Sequence, residues 1–127
     1  MPTLGQSYSR DDIAHDLGGG TVEFLPNVGG RIVCACLRLD YNPDAPDVIL
    51  PGKGPLIQQT AEWLCEQRGP IPVFIKRGAH AWEYVGNYKV RDFSTDAQVI
   101  AEQEARSGRT GREGITRVIY MEPSRDA

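Results

Sequence analysis

Three aromatic residues that could stack on a flat ligand alternate along one predicted strand, 82–92. They are Trp82, Tyr84 and Tyr88, and side chains two positions apart on a strand share a face. Their rings either pack in a hydrophobic core or stack on a nucleic-acid base, since every base presents a π-face. Core packing is the better interpretation for Tyr88. For Trp82, beside a predicted turn, core packing and stacking on a base are equally favoured interpretations.

A second set of candidate ligand-binding residues occupies the proline-containing loop 40–46. Asp40 and Asp44 flank Tyr41 there, directly after the predicted strand Arg31–Leu39. A carboxylate at a strand end can accept a hydrogen bond from the exocyclic amine of a base, and a tyrosine ring can stack on that base. Loops of this composition are more often plain turns. The candidate base-binding pocket therefore consists of Asp40, Tyr41, Asp44, Trp82 and Tyr84.

Basic residues surround the same predicted hairpin and could hold the phosphates that flank a bound base. They are Lys76, Arg77, Lys89 and Arg91. The chain as a whole is acidic, with a formal net charge of −3 and a pI of about 5.3. This charge counts against non-specific binding to nucleic acid, which depends on phosphate neutralisation. An acidic net charge is nevertheless compatible with a local basic surface.

The sequence Gly52-Lys53-Gly54 precedes a predicted helix. Backbone amides at the start of a helix can bind a phosphate. The glycines do not have the P-loop spacing, because no Gly-Lys-Ser/Thr follows at the required position. A plain turn is the favoured interpretation of this segment.

Catalysis and metal binding have little support in the sequence. Its two histidines are His15, in a predicted exposed helix, and His80, in a predicted hairpin turn, and nothing local supports a catalytic triad with His80 and a cysteine. The three cysteines, Cys34, Cys36 and Cys65, form no CxxC pair, which argues against a zinc site and a disulfide framework. We therefore expect no catalytic residue, no metal and no cofactor, with a small hydrolase using His80 as a remaining alternative.

Helices and strands alternate along the chain without an internal repeat. Helices are predicted over Ser9–Gly18, Pro55–Arg68 and from Thr95 to about Arg106, and strands over Thr21–Leu25, Arg31–Leu39, Val48–Leu50, Ile71–Lys76, Trp82–Asp92 and Ile115–Met121. Strands this short bury best in a curled sheet or small barrel. The predicted fold is α+β, a small curled mixed β-barrel of five or six strands with two or three flanking helices. One domain spans 1–127, with an N-terminal helical extension at 1–20 and a frayed tail at 123–127.

The order of several motifs resembles that of the SRA (YDG) domain. The resemblance covers about Val48–Glu122. Its motifs are Gly52-x-Gly54, Gln58 and Gln59 in a helix ending Leu64-Cys65-Glu66, the strand Pro72–Arg77, the strand Tyr84-Val-Gly86-Asn-Tyr88-Lys-Val90 and the closing Thr116–Tyr120. The resemblance implies a PUA-like barrel that flips a modified cytosine out of DNA and performs no chemistry itself. It also implies a restriction-related setting, in which cleavage comes from a partner nuclease.

These observations predict a non-catalytic module that recognises a modified base, for example a methylated one, in nucleic acid, with DNA as the expected partner. The first alternative is a protein-interaction or small-ligand-binding barrel with no nucleic-acid role, in which the aromatic residues form core. No apolar run approaches the roughly 18–20 residues that cross a bilayer, and the first residues do not form a signal peptide. We expect no membrane association and a cytoplasmic protein.

Overall fold

The computed structural model describes residues 2–124. The strands are β1 Ser7–Tyr8, β2 Asn27–Val28, β3 Arg31–Ile32, β4 Ala35–Leu37, β5 Val48–Ile49, β6 Ile71–Gly78, β7 Ala81–Ser94 and β8 Val118–Pro123. The helices are α1 Arg10–Leu17, α2 Pro55–Glu66 and α3 Ala97–Ser107, and a 3₁₀ turn spans Gly111–Glu113. Residues 125–127 of the predicted frayed tail lie outside the described residues. Within that tail, Pro123 ends β8 and the Ser124 amide donates to the Asn87 carbonyl.

Six strands form one mixed sheet around the long β6–β7 hairpin. The strand order is β4-β6-β7-β8-β5, and β1 also pairs with β7. β4 runs parallel to β6, whereas the other pairs are antiparallel. β2 and β3 form a separate small hairpin. The pairing of β1 places Ser7 and Tyr8, within the predicted N-terminal helical extension 1–20, on the central sheet.

The predicted barrel is wrong, because no sheet closes on itself within residues 2–124. The fold is α+β, with three helices and an open mixed sheet whose two ends are β4 and β5. These end strands are three and two residues long, too short to supply a ladder that joins them. The outer edge of β4 instead meets irregular backbone, where the Cys36 amide donates to the Phe24 carbonyl over 2.8 Å. The barrel implied by the SRA resemblance is overturned by the same observation.

The two faces of the sheet bury separate apolar clusters. Helix α2 packs against β3 and β7, and the larger cluster on this side includes Ala35 and Leu37 of β4. Helix α1 contributes Ile13 to the second cluster, with Cys34, Cys36, Phe74 and Trp82. Because successive strand residues point to opposite faces, β4 takes part in both. It nevertheless lies at the end of the sheet, and not at its centre as its apolar sequence predicts.

Local capping signals explain where the helices begin. Ser9 caps α1 by accepting from the Asp12 amide, and the Asp12 carboxylate accepts from the Ser9 amide, which is the reciprocal arrangement of a capping box. Pro55 occupies the first turn of α2, where its missing N–H costs nothing. Helix α3 is capped by Asp96 and not by Thr95, because the Asp96 carboxylate accepts from the first-turn amides.

A bulge in β7 changes which aromatic residues share a face. The pairing of β6 with β7 shifts register between Val73 and Phe74, and Gly86 takes a φ of +122° there. Trp82 and Tyr84 lie with the α1-side cluster, whereas Tyr88 lies with the α2-side cluster. The expectation that all three rings share a face is therefore wrong, because one inserted residue reverses the alternation.

Candidate ligand-binding groove

A groove of about 780 Å³ opens beside β4, and residues from several distant parts of the chain line it. Six cationic side chains and two carboxylates are among them. The cations are Arg10, Arg38, Lys53, Lys76, Arg109 and Arg112, and the carboxylates are Glu23 and Glu113. A volume of this size is typical of small-molecule sites. The groove is thus a positive surface on a chain whose formal net charge is −3.

One section of the groove is built around Trp82. The ring lies near the Arg10 guanidinium, 5.2 Å from its centroid, and near the Lys76 ammonium at 5.7 Å. Trp82 is only 7% exposed, so its faces are largely occupied by protein. Arg10 Nη2 donates to the carbonyls of Glu23, at 2.7 Å, and Gly20, at 3.4 Å. Arg10 is therefore held in place by backbone oxygens.

Tyr41 offers the more accessible aromatic ring. It is 39% exposed, and the guanidinium carbons of Arg38 and Arg109 lie 5.0 and 5.5 Å from its ring centroid. The neighbouring Asn42 is buried and fixes this loop: its Oδ1 accepts from the Leu50 amide at 2.8 Å, and its Nδ2 donates to the Arg38 carbonyl at 3.2 Å. The loop thereby presents Tyr41 to the groove from a fixed backbone.

Arg109 is a buried cation held by backbone carbonyls. Its Nη1 donates to the carbonyls of Leu50, at 2.6 Å, and Tyr41, at 3.0 Å, and its Nε donates to the Glu113 carbonyl at 2.8 Å. No carboxylate within residues 2–124 forms an ion pair with it. Burial lowers the pKa of Arg109 from its ordinary value, although a guanidinium remains charged at neutral pH.

The start of α2 completes this section of the groove. Gly52, Lys53 and Gly54 line it immediately before the helix, followed by Leu56 and Ile57. No side chain caps the first turn of α2, and that turn contains no acidic residue. The Gln58 side chain donates to the Lys53 carbonyl over 2.7 Å and steadies the turn. The helix therefore presents uncapped amides beside a lysine.

Two buried thiols lie beneath the Trp82 section. Cys36 lines the groove, and Cys34 belongs to the same apolar cluster. The neighbouring Cys36 thiol and burial raise the pKa of Cys34, whereas the neighbouring Cys34 thiol and the Arg10 charge lower the pKa of Cys36. Both side chains are nearly inaccessible. No cluster of three or more metal-binding side chains occurs in the described part of the chain.

The two aspartates predicted to read a base lie outside the groove lining, and each is engaged with an arginine. Asp40 accepts from Arg38 through both oxygens, at 2.6 and 3.1 Å. Asp44 is bound by Arg106 of α3 in the same way, at 2.8 and 3.0 Å. The paired arginines lower the pKa of each carboxyl. Glu23, which the sequence did not single out, is instead a carboxylate within the groove.

The remaining predicted residues divide between the groove and distant positions. Lys76 joins Tyr41 and Trp82 in the groove, and Arg77 lines a smaller adjacent depression with Asp40. Arg77 forms an ion pair with Glu83 at 2.8 Å. The other three residues contact groups elsewhere: Tyr84 donates to Asn87 Oδ1, Lys89 pairs with Glu122 at 3.8 Å, and Arg91 lies over the Tyr120 ring. His80, at the β6–β7 turn, does not line the groove.

Sequence reasoning missed several residues of this groove, namely Arg10, Glu23, Arg38, Arg109 and Arg112. They come from four separate segments, because only Arg109 and Arg112 are neighbours in the sequence. The Gly52-Lys53-Gly54 motif was the one signal available for the α2 section.

Comparison with known proteins gives a family and no function. Searches of curated proteins and of solved structures gave no match. Within the described residues, no helix is long and apolar enough to span a membrane. One family model, described as a domain of unknown function, DUF6697, matches residues 7–117. Because this match covers most of the sequence, the chain belongs to the DUF6697 family.

Proposed function

We propose that this chain is a non-catalytic nucleic-acid-binding module and that its basic groove receives a single strand or an unstacked base. The observation that carries the proposal is the groove's charge: six cations and two carboxylates line it in an otherwise acidic chain. A local excess of positive charge attracts phosphates even when the net charge of the protein opposes them.

The phosphate contacts come from cations that no acidic group neutralises. Lys53, Lys76 and Arg112 form no ion pair with any described residue. Arg10 and Arg109 donate to backbone carbonyls and so keep their full charge. Arg38, by contrast, is paired with Asp40. The groove therefore combines fixed positive groups with mobile lysines, which suits an extended phosphodiester backbone.

The base contacts come from the Tyr41 ring and the nearby arginine planes. Tyr41 is the exposed aromatic residue of the groove, and guanidinium groups such as that of Arg38 also stack on bases. Trp82 is mostly covered by Arg10 and Lys76, so it supports this surface more than it contacts a ligand. Glu23 supplies a carboxylate that can accept from the amine of cytosine or adenine. A preference for a modified base forms part of this proposal.

The groove also has an apolar rim, which favours a second candidate function. Val22, Leu56 and Ile57 line it and are 87%, 59% and 37% exposed. Exposed apolar groups beside cations would suit an acidic protein segment. We favour nucleic acid because the cations extend through the groove, whereas the apolar side chains occur in two short segments.

A binding titration tests the proposed function. Fluorescent single-stranded and duplex oligonucleotides, unmodified or carrying 5-methylcytosine, would be titrated with wild type, Lys76→Ala and Lys89→Ala at several salt concentrations. Lys89 is a matched control because it lies outside the groove. For a single strand, the slope of the log binding constant against log salt concentration should become shallower by about 0.7 in Lys76→Ala, which loses one phosphate contact. The slope should not change in Lys89→Ala. No binding at low salt, or equal behaviour of the two variants, would overturn the proposal.

A further inference from the structure

Arg109 contains an unused hydrogen-bond donor at the groove. The side chain is only 7% exposed, and its Nε and Nη1 atoms make the three bonds to backbone carbonyls. Nη2 donates to no described group, yet it is not among the fully enclosed unpaired atoms, so it remains open to the groove. A buried charge is costly unless its donors are used. This geometry indicates an anionic ligand at Nη2.

The free donor faces the turn that begins α2. A Cβ added to Gly52 would lie 3.3 Å from Arg109 Nη2, so glycine leaves the approach to that atom open. The turn leads within three residues to Leu56 and Ile57, whose amides belong to the uncapped first turn of the helix. The start of a helix carries a partial positive charge of roughly half a unit and binds anions through such amides.

The charges around this turn favour an anion with more than one negative charge. Lys53 and Arg112 line the same section without an ion-pair partner in residues 2–124. Glu113 is the one acidic side chain lining it. Glu104 lies close by, where its carboxylate accepts from the Ile115 amide at 3.0 Å and keeps its charge. Three cations and a helix start therefore outweigh the two carboxylates of this section, Glu113 and Glu104.

We propose that this α2 section, formed by Arg109, Lys53 and the first amides of α2, binds a terminal phosphomonoester of the nucleic acid. The inference rests on the proposed function and specifies which part of the strand the groove recognises. A phosphodiester carries one negative charge, whereas a phosphomonoester carries about 1.5 to 2 at neutral pH. The terminal group therefore gains more than an internal phosphate from a site with two cations and a helix start.

One experiment separates this inference from the proposed function. The same short fluorescent strand would be prepared with a 5′-phosphate, with a 3′-phosphate and with hydroxyl ends. Each would be titrated with wild type, Gly52→Ala, Lys53→Ala and the control Lys89→Ala.

Gly52 does not have a left-handed backbone, so alanine causes no backbone strain there. Its methyl group blocks the approach to Arg109 Nη2 without removing a charge. Lys53 is exposed, so its variant tests the site even if the first one fails to fold.

Wild type and Lys89→Ala should bind one phosphorylated strand about tenfold more tightly than the hydroxyl-ended strand. The preferred strand identifies the 5′ or the 3′ end as the ligand. Gly52→Ala and Lys53→Ala should lose this preference and still bind the hydroxyl-ended strand. Equal binding of all three strands by wild type would overturn the terminal-phosphate site while leaving the proposed function intact. Absence of binding to every strand would overturn the proposed function itself.

Discussion

Replacing Asn42 with alanine should destabilise the chain more than any exposed amide substitution, because Asn42 supports the loop that carries Tyr41. The side chain is 5% exposed and bonds to the Leu50 amide and the Arg38 carbonyl. Alanine would leave the buried Leu50 N–H unpaired, at a cost of about 1–3 kcal/mol, and would remove a second bond worth about 1 kcal/mol. The expected total loss in the free energy of unfolding is about 3 kcal/mol.

The measurement is thermal and urea unfolding followed by circular dichroism. For a domain of this length, 1 kcal/mol corresponds to about 3–5 °C in melting temperature, so Asn42→Ala should melt about 10 °C below wild type. Gln58→Ala is the matched control, since it also removes one amide side chain, but an exposed one with a single bond to Lys53. Its loss should stay near 0.5 kcal/mol. Equal losses for the two variants would refute the reasoning that a buried amide holds this loop.

Two further predictions concern a tether and an ion pair. Gln67→Ala should cost about 2 kcal/mol in urea unfolding, because both side-chain amide atoms bond to the Ile32 backbone, at 2.8 and 2.9 Å, and join α2 to β3; an effect no larger than that of the exposed Gln59→Ala would contradict it. Asp44→Asn should destabilise at neutral pH and have no effect near pH 2, because Arg106 lowers the pKa of Asp44. A carboxyl whose pKa is lower in the folded state stabilises the fold at pH values above its ordinary pKa of 3.8. That contribution is lost as the pH falls through the folded-state pKa. Unfolding curves from pH 2 to 7 that stay parallel for wild type and variant would contradict this second prediction.

Local signals in the sequence predicted the helices and the central hairpin because those signals are short-range. Ser9 caps α1, Pro55 begins α2, and β6 and β7 flank their turn as expected. Closure of the sheet depends on whether distant ends meet, which no local pattern encodes. The bulge between Tyr84 and Tyr88 is likewise not predictable from the alternation of residues. An inserted residue moves the following side chains to the opposite face of the sheet without changing the composition of the strand.

The groove could be predicted only in fragments, because its residues are far apart in the sequence. Tyr41, Lys76 and Trp82 were identified from local patterns and do line it. Arg10 and Arg109 come from opposite ends of the chain and meet the groove only through the fold. The partner of Asp44, Arg106, is 62 residues away, so an ion pair that removes this carboxylate from the candidate pocket could not be inferred from its neighbours.

The net charge of the sequence does not predict where this chain presents positive charge. That is determined by which basic side chains form ion pairs with carboxylates in the fold. Arg38, Arg77 and Arg106 are each matched by a carboxylate. Arg10 and Arg109 are held by carbonyl oxygens, which fix a guanidinium in position without neutralising it. Such arginines are costly to bury because no carboxylate within residues 2–124 forms an ion pair with them. Their place in one groove is consistent with a binding surface for anions, and it explains how an acidic chain can present a positive site.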